Sequence, residues 1–486
     1  MRQLGAMDSL MYYTDAPHAP STIGVLELLD ASCADKPLTY DALVQHLASR
    51  VHLARSFRNV LVPVPFDLGN PYWVDDRAFD LEFHVRHLAL PAPGNWRQLC
   101  TQVARLHARP IDLRRPPWEL YLIDGLNEVD RVPAGGCALF LRIHHAAIDG
   151  VAGAEILNVI HDRSPSPDPV EQPVMPWQPG RTPPSIELFG RSLASLLVRP
   201  VHAVQTAGRT VPRFGMVLLG MGRGRLPGPV VTVPRTRFNG PITPHRSIEG
   251  RHWPLDQFRE AKKLVPGATV NDVAITVVAG ALRRYLASKN ELPGSPLVCA
   301  VPVSLRAKQQ TSVGQEGNDI ATMVVPMATD VEDDVERLRA VTDNTKGSKE
   351  RKQALGARTL TDIGNLLPGR LMGLAQRQQH RIGAVTRRHL VFNLPVTNVP
   401  GSPSPFYLAG ARIVDVFGLG PVLDGTGLLA IVGSYCGSVS ITVTADRSML
   451  PDPEFFGDCL DESFAALTRR RSRAIRKSAA VAASVR

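Results

Sequence analysis

Hydrophobic residues recur along the chain in two alternating patterns, one typical of strands and one typical of helices. Ile23–Leu29 and Cys137–His145 are short apolar runs, as expected of buried strands. Apolar residues stand at helical spacing in Tyr40–Leu53, Trp96–Arg109 and Val151–Asp162. Because strand and helix patterns alternate in this way, the first third of the sequence predicts a mixed α/β or α+β fold.

The second half of the chain repeats this mixture. Ala268–Asn290 has helical spacing, and the basic stretch 346–388 is also predicted to be helical. Pro296–Arg306 is a strand-like apolar run, and Gly427–Asp446 is typical of two strands. PYWVDD, residues 71–76, is predicted to be a turn. Both halves therefore indicate the same mixed fold class.

A proline-rich stretch, residues 164–185, separates the two halves. Proline removes main-chain donors and fixes φ, so this stretch predicts a linker. After it, Ile186–Arg225 is apolar and basic, which favours either a helix packed across two lobes or an amphipathic helix on a membrane surface. The sequence thus predicts an N-terminal lobe (1–163), a linker and crossover (164–244), a C-terminal lobe (245–468) and a basic tail (469–486).

The charge of the chain limits the classes of partner that it is expected to bind. The formal net charge is +10 with a pI near 9.5, and the tail 469–486 has seven basic residues and no acid. This charge suits an anionic partner such as a phosphorylated substrate or a lipid surface, whereas no nucleic-acid module accompanies it. The tail is expected to be solvated and partly disordered, or attracted to an anionic membrane.

The chain is predicted to be intracellular. It has no apolar run long enough to span a bilayer and no secretory signal at its start. Its six cysteines are scattered without metal-ligand spacing, which favours thiols over disulfides or zinc.

The clearest chemical signal is HHAAIDG, residues 144–150. If both histidines belong to the strand, His144 and His145 point to opposite faces, which disfavours a shared metal. No G-x-S-x-G, Walker A or Rossmann motif is present, so a histidine acting as general base without a protein nucleophile remains. Asp149 is expected to cap the following helix, fix the turn through hydrogen bonds or pair with an arginine, and Gly150 is expected to permit a tight main-chain path.

HHAAIDG matches HHxxxDG, the motif of the acyltransferase superfamily that includes chloramphenicol acetyltransferase and peptide-synthetase condensation domains. The second histidine is the catalytic base of that superfamily, so the resemblance implies His145 as the base and His144 as a supporting residue. Asp149 would then orient the motif.

Further segments resemble the bacterial wax ester synthase/diacylglycerol acyltransferase family across nearly the whole chain. They are MDSLMYYTDAPHAPSTIGVLEL, RRPPWELYLIDGL, VNDVAIT, VPVSLR followed by GQEGND, and VTNVPGSP. Substrate-binding or structural roles are thereby implied for Pro116, Trp118, Asn271, Asp272, Gly317, Asn318 and Asn398. Thr269 and Asp272 also approximate a capping box, so helix capping is an alternative to catalysis at that position. The chain departs from the family pattern at Pro117, Thr397, Leu429 and Ala430.

The resemblance implies two chloramphenicol-acetyltransferase-like lobes with a channel between them. Acyl-CoA would be the co-substrate, and diacylglycerol or a long-chain alcohol would be the acceptor, with no metal and no bound cofactor. The protein would lie in the cytoplasm, in peripheral contact with the inner face of the cell membrane or with lipid droplets. Two alternatives stay open: another HHxxxDG acyltransferase, acting on a polyketide-type diol or on carrier-bound acyl groups, and a weakly catalytic lipid-binding or lipid-droplet protein.

Overall fold

The computed structural model describes residues 1–32, 34, 36–147, 152–175, 177–194, 233–304, 320–355 and 391–484. The strands are β1 (Arg2–Gln3), β2 (Thr22–Asp30), β3 (Asn59–Val62), β4 (Tyr72–Asp75), β5 (Val85–Ala89), β6 (Trp118–Leu126), β7 (Gly136–His144), β8 (Arg246–Pro254), β9 (Val298–Ser304), β10 (Ile320–Pro326), β11 (Leu394–Pro400), β12 (Tyr407–Leu408), β13 (Ala411–Leu419), β14 (Leu428–Tyr435) and β15 (Ser438–Asp446). The helices are α1 (Ala6–Thr14), α2 (Tyr40–Ala48), α3 (Leu81–His84), α4 (Trp96–His107), α5 (Ala152–Ile160), α6 (Leu255–Ala261), α7 (Val270–Ser288), α8 (Asp334–Leu355) and α9 (Pro453–Ser484); residues 185–194 are helical as well.

The first lobe is built on a six-stranded sheet of order β12-β13-β2-β7-β6-β5. Every residue of β7 is buried, because the strand lies inside the sheet and both its faces are covered. Leu139 and Leu141 pack in a core that includes residues of α2 and α5. Phe140 packs in a second core with α4. The uninterrupted apolar pattern of β7 therefore reflects a strand covered on both sides.

The second lobe has its own six-stranded sheet, of order β10-β9-β11-β14-β15-β8. One large core joins this sheet to α6, α7, α8 and α9, with Phe258, Val277, Leu338 and Phe464 among its fully buried side chains. Strand β11 runs parallel to both β9 and β14, whereas the other neighbours in this sheet are antiparallel. The predicted mixture of strands and helices in both halves is confirmed.

The C-terminal part of the chain contributes two strands, β12 and β13, to the sheet of the first lobe. After β11, the chain crosses to the first lobe, where β13 pairs with β2, before it returns to the second sheet as β14. The predicted C-terminal lobe, residues 245–468, therefore includes strands of the other lobe's sheet, a crossover that the sequence does not predict. Ser440 on β15 donates its hydroxyl to the Val416 carbonyl at 2.8 Å, so β13 also contacts the second sheet.

A buried acid adds to the contact between the lobes. Glu249 on β8 is fully buried. It accepts a hydrogen bond from the Trp96 indole at 2.6 Å and pairs with the Arg97 guanidinium at 3.1 Å, both at the start of α4. Arg251 donates to the same carboxylate at 2.6 Å. Because three donors surround the buried charge, it is paired in the way that a buried carboxylate requires.

Several local expectations need correction. Tyr72–Asp75 was predicted to be a turn but forms β4, the middle strand of a small sheet with β1 and β3, because Trp73 packs against Leu4 and Leu61. The basic tail was expected to be partly disordered, yet α9 continues through it to Ser484. Most of 186–225 and of 346–388 lies outside the described residues. Among the described helices, none has both the length and the apolar character required to cross a membrane.

Candidate active site

The two adjacent histidines lie where β7 ends. His144 is the last residue of β7 and stands opposite Thr22, the first residue of β2. His145 begins a 3-10 turn, His145–Ala147. The assumption that both histidines share one strand was therefore wrong, because the pairing with β2 stops at His144. Strand alternation does not decide the direction of the His145 ring.

The His144 ring is fully buried, and its tautomer follows from its contacts. Its Nδ1 accepts the Ala146 main-chain N–H at 3.2 Å, so this nitrogen carries no proton. The proton of the neutral ring is then on Nε2, which lies 3.5 Å from Oδ1 of Asp15. The main-chain N–H of His144 donates to the Pro117 carbonyl at 2.9 Å. These contacts indicate a structural role for His144.

The His145 ring is the candidate base. Burial lowers the pKa of His145 below its usual value, its own main chain offsets part of this effect, and His144 lowers the pKa further. The ring is therefore neutral at neutral pH and able to accept a proton. The residue as a whole is only half-buried, although Nδ1 is enclosed and lacks a hydrogen-bond partner among the described residues. A neutral, partly accessible imidazole is what general-base catalysis requires.

Polar atoms without partners concentrate at this end of the sheet. Within the described part of the chain, the Ser21 and Thr22 hydroxyls, His144 Nε2 and His145 Nδ1 are all buried and make no hydrogen bond. Each such atom costs about 1–3 kcal/mol. Native proteins keep few of them, and a cluster is typical of a site that receives a polar ligand or water.

The predicted residues Pro116 and Trp118 lie close to β7, where they pack against it. Pro116 is buried, and Trp118 at the start of β6 is paired with Ile143. The Trp118 indole donates to the Phe57 carbonyl at 2.9 Å, and the ring stacks on His84 with 4.5 Å between centroids. Trp118 therefore lies in the core, which supports a structural role for this residue.

Asp272 is engaged in structural contacts. Its Oδ2 accepts the Thr269 N–H and its own main-chain N–H donates to the Thr269 hydroxyl, which together form the capping box of α7. Its Oδ1 accepts the Thr345 hydroxyl of α8 at 2.8 Å. Because both carboxylate oxygens are used and the side chain is buried, capping and helix packing account for Asp272.

The other predicted residues are separate from the histidines or outside the described residues. Asn271 is half-buried in the first turn of α7, and Asn398 is exposed on β11. Within the described ranges, no hydrogen bond joins either side chain to His144 or His145. Asp149, Gly150, Gly317 and Asn318 fall outside the described residues. Their predicted roles stay predictions.

Asp15 is a further residue beside the histidines that the sequence did not predict. This residue follows α1 and lies in the opening segment that resembles the family, but no spacing relates it to the histidines. Its Oδ1 accepts the Ser21 N–H at 2.6 Å, and the Ser21 carbonyl accepts the His145 N–H at 2.7 Å. Only the packing of α1 against the 3-10 turn reveals this link.

Comparisons with known proteins agree with this architecture. Residues 4–274 match the wax ester synthase/diacylglycerol acyltransferase catalytic domain, and residues 316–468 match the C-terminal domain of the same family. A protein of Mycobacterium tuberculosis H37Rv, provisionally named a diacylglycerol O-acyltransferase, is 32% identical over 454 residues, which cover 93% of this chain and 87% of the relative.

Solved structures share the fold. The wax ester synthase/diacylglycerol acyltransferase from Marinobacter aquaeolei VT8 aligns with a TM-score of 0.68 at 24% identity, covering 97% of this chain and all of that chain. The trichothecene 15-O-acetyltransferase from Fusarium sporotrichioides aligns with a TM-score of 0.58 at 10% identity, covering 96% and 94%. The predicted mixed α/β fold with two lobes is confirmed. With two matching domains and a relative above 30% identity, the chain belongs to the wax ester synthase/diacylglycerol acyltransferase family and is an acyltransferase.

Proposed function

We propose that this acyltransferase transfers a long-chain acyl group from acyl-CoA to diacylglycerol or to a long-chain alcohol, with His145 as the general base. The products are triacylglycerol or wax ester, and free CoA. The proposal depends on the His145 ring, which lies half-buried just after the end of β7 and which burial keeps neutral. The names of the relatives support the two acceptor classes.

The proposed reaction is a direct transfer. The acceptor hydroxyl oxygen attacks the thioester carbonyl carbon while His145 takes the hydroxyl proton. The tetrahedral intermediate then collapses, the carbon–sulfur bond breaks, and the CoA thiolate recovers the proton from the imidazolium. A thiol with a pKa of about 8.5 is a good leaving group, so no bound metal or cofactor is needed.

The proposed route to His145 is a channel between the two lobes, which acyl-CoA enters from one side and the acceptor from the other. The crossover strand β13 belongs to the first sheet and contacts β15 of the second sheet, so it connects both lobes to the sheet that contains β7. The net charge of +10 suits the phosphates of CoA.

The test is a thiol-release assay with hexadecanoyl-CoA, offered hexadecanol or dioleoylglycerol in turn. His145→Ala is expected to lower turnover by about 10²- to 10⁴-fold, because general acid–base catalysis contributes that much. His144→Ala is expected to lose less. His245→Ala, at an exposed histidine, is the control and is expected to match the wild type. A folded His145→Ala variant with near-normal turnover would refute the role of His145.

The two acceptors separate the candidate functions. Thiol release with the alcohol alone indicates a wax ester synthase, and release with dioleoylglycerol alone indicates triacylglycerol synthesis. Absence of release with either acceptor favours a different acceptor class, such as a diol, or a lipid-binding protein.

We also propose peripheral contact with an anionic membrane or lipid-droplet surface from the cytoplasm. The basic tail, which continues α9, would supply part of the attraction. Flotation with phosphatidylglycerol vesicles is expected to recover the protein at low salt and to recover less at high salt, because salt screens exposed charges. Binding that is independent of salt and of vesicle charge would contradict an electrostatic contact.

A further inference from the structure

One acidic side chain of the first lobe is linked to both histidines. Asp15 follows the last residue of α1, and its Oδ1 lies 3.5 Å from Nε2 of His144. The same oxygen accepts the Ser21 N–H at 2.6 Å, and the Ser21 carbonyl accepts the His145 N–H at 2.7 Å. Asp15 therefore reaches the His144 ring directly and the His145 main chain through one intermediate residue.

The contact with His144 has a chemical consequence for its tautomer. Because Nδ1 accepts the Ala146 N–H, the ring proton is placed on Nε2. That nitrogen is buried and has no hydrogen-bond partner within the described residues. A buried N–H without an acceptor is unfavourable, so the carboxylate of Asp15 at 3.5 Å is the group that stabilises this tautomer.

The contact through Ser21 has a geometric consequence for His145. No side-chain hydrogen bond to the described residues orients the His145 ring, and its Nδ1 has no partner there. The direction of the ring therefore depends on the main chain of the 3-10 turn and on packing. The Ser21 carbonyl holds the first N–H of this turn, and Asp15 holds Ser21.

We propose that Asp15 is a positioning residue that keeps the His144 tautomer and the His145 main chain in place and so aims His145 at the substrate. The proposal rests on the proposed role of His145 as the base. It assigns Asp15 no proton transfer. It implies that substrate binding and catalysis respond differently when Asp15 changes, because acyl-CoA does not need an aligned base in order to bind.

The test compares neutral and charged replacements of Asp15. Asp15→Asn keeps an oxygen for the Ser21 N–H but loses the charge facing His144. Its kcat is expected to fall about 10- to 100-fold, the cost of a small misplacement of a reacting group, while KM for hexadecanoyl-CoA stays within about twofold. Asp15→Glu retains the carboxylate and is expected to recover part of kcat.

A matched control exists at the other end of β2. Asp30 accepts the Ser32 N–H through Oδ1 at 2.9 Å, a local contact of the same kind as that between Asp15 and Ser21, but at the opposite end of the strand from the histidines. Asp30→Asn is expected to leave kcat unchanged. An equal loss of kcat in Asp30→Asn and Asp15→Asn would overturn the proposal, because the effect would then be general.

A second readout does not depend on activity. The ring ¹⁵N resonances of His144, assigned by comparison with His144→Gln, are expected to show a proton on Nε2 in the wild type and a shifted Nε2 resonance in Asp15→Asn, because the carboxylate that faces this nitrogen is lost. Unchanged ring resonances, or a wild-type kcat, in folded Asp15→Asn would overturn the proposal. If Asp15→Asn does not fold, Asp15→Ser removes the same charge and is judged by the same two readouts. If the wild type transfers no acyl group, the proposed function fails, and the ring resonances still decide whether the Asp15 carboxylate interacts with the Nε2 proton of His144.

Discussion

His107, on the last turn of α4, is expected to make stability fall as the solution becomes acidic. Its side chain is buried, its Nε2 donates to the Gly420 carbonyl at 3.1 Å, and its Nδ1 has no partner among the described residues. Burial lowers the pKa of His107 to about 3; the bond to Gly420 offsets part of this effect, and the charges of Arg142 and Arg246 add to it. A second ring proton would lie on a nitrogen that has no acceptor in the described ranges.

The magnitude follows from this pKa. The unfolded chain binds a proton at His107 below about pH 6.5, whereas the folded chain does not until about pH 3. The contribution of His107 to stability is therefore complete above pH 6.5 and is lost progressively as the pH falls from 6.5 toward 3. At pH 5, 1.5 pH units below the unfolded pKa, the loss is about 2 kcal/mol.

The measurement is urea unfolding at pH 7 and pH 5 for the wild type and His107→Gln. Glutamine keeps a donor for the Gly420 carbonyl but does not titrate. Between pH 7 and pH 5, the free energy of unfolding of His107→Gln should therefore fall by about 2 kcal/mol less than that of the wild type. His245→Gln, at an exposed position, is expected to keep the pH dependence of the wild type. An identical pH dependence in the wild type and His107→Gln would refute the reasoning.

Three further predictions address the lobe contact, the base and the cofactor. Glu249→Gln is expected to lower the free energy of unfolding by about 1–3 kcal/mol in urea titrations, because Arg97 loses its buried counter-charge while Arg251 keeps Asp458 and Asp461; an unchanged midpoint would contradict this. In the pH profile of kcat/KM, the acid limb is expected to have its midpoint below pH 6.5, because burial lowers the pKa of His145 and the neutral ring is the active form. A midpoint above pH 7 would count against His145 as the base. Turnover is expected to survive dialysis against a chelator, and a loss restored by divalent metal would show that the reaction needs a metal.

Local patterns anticipated the elements that their own side chains specify. The apolar runs of β2 and β7 and the helical spacing of α4 all form as predicted, within a few residues at their ends. The capping box at Thr269 and Asp272 was visible from residue type and spacing alone, since the two residues are three positions apart in the chain. These features depend on neighbours in the sequence, which is why they could be found there.

The site was predictable only in part. The pair His144 and His145 stood out as a motif, but the end of β7 between them depends on where β2 begins, and that strand is more than 100 residues earlier. Asp15 gave no signal of its own, because its contact with His144 exists only once α1 packs against the 3-10 turn. A side chain that acts through a residue distant in the sequence leaves no local sequence pattern from which its role could be predicted.

By itself, the sequence determined the mixed α/β class, the family resemblance and the identity of the candidate base, because these are written in composition, periodicity and one short motif. Only the tertiary structure decided that β13 completes the sheet of the other lobe, that Glu249 pairs with donors about 150 positions away, and that Asp15 lies beside His144. Periodicity reports which face of a strand or helix is apolar, whereas the choice of partner for that face depends on the packing of the whole chain.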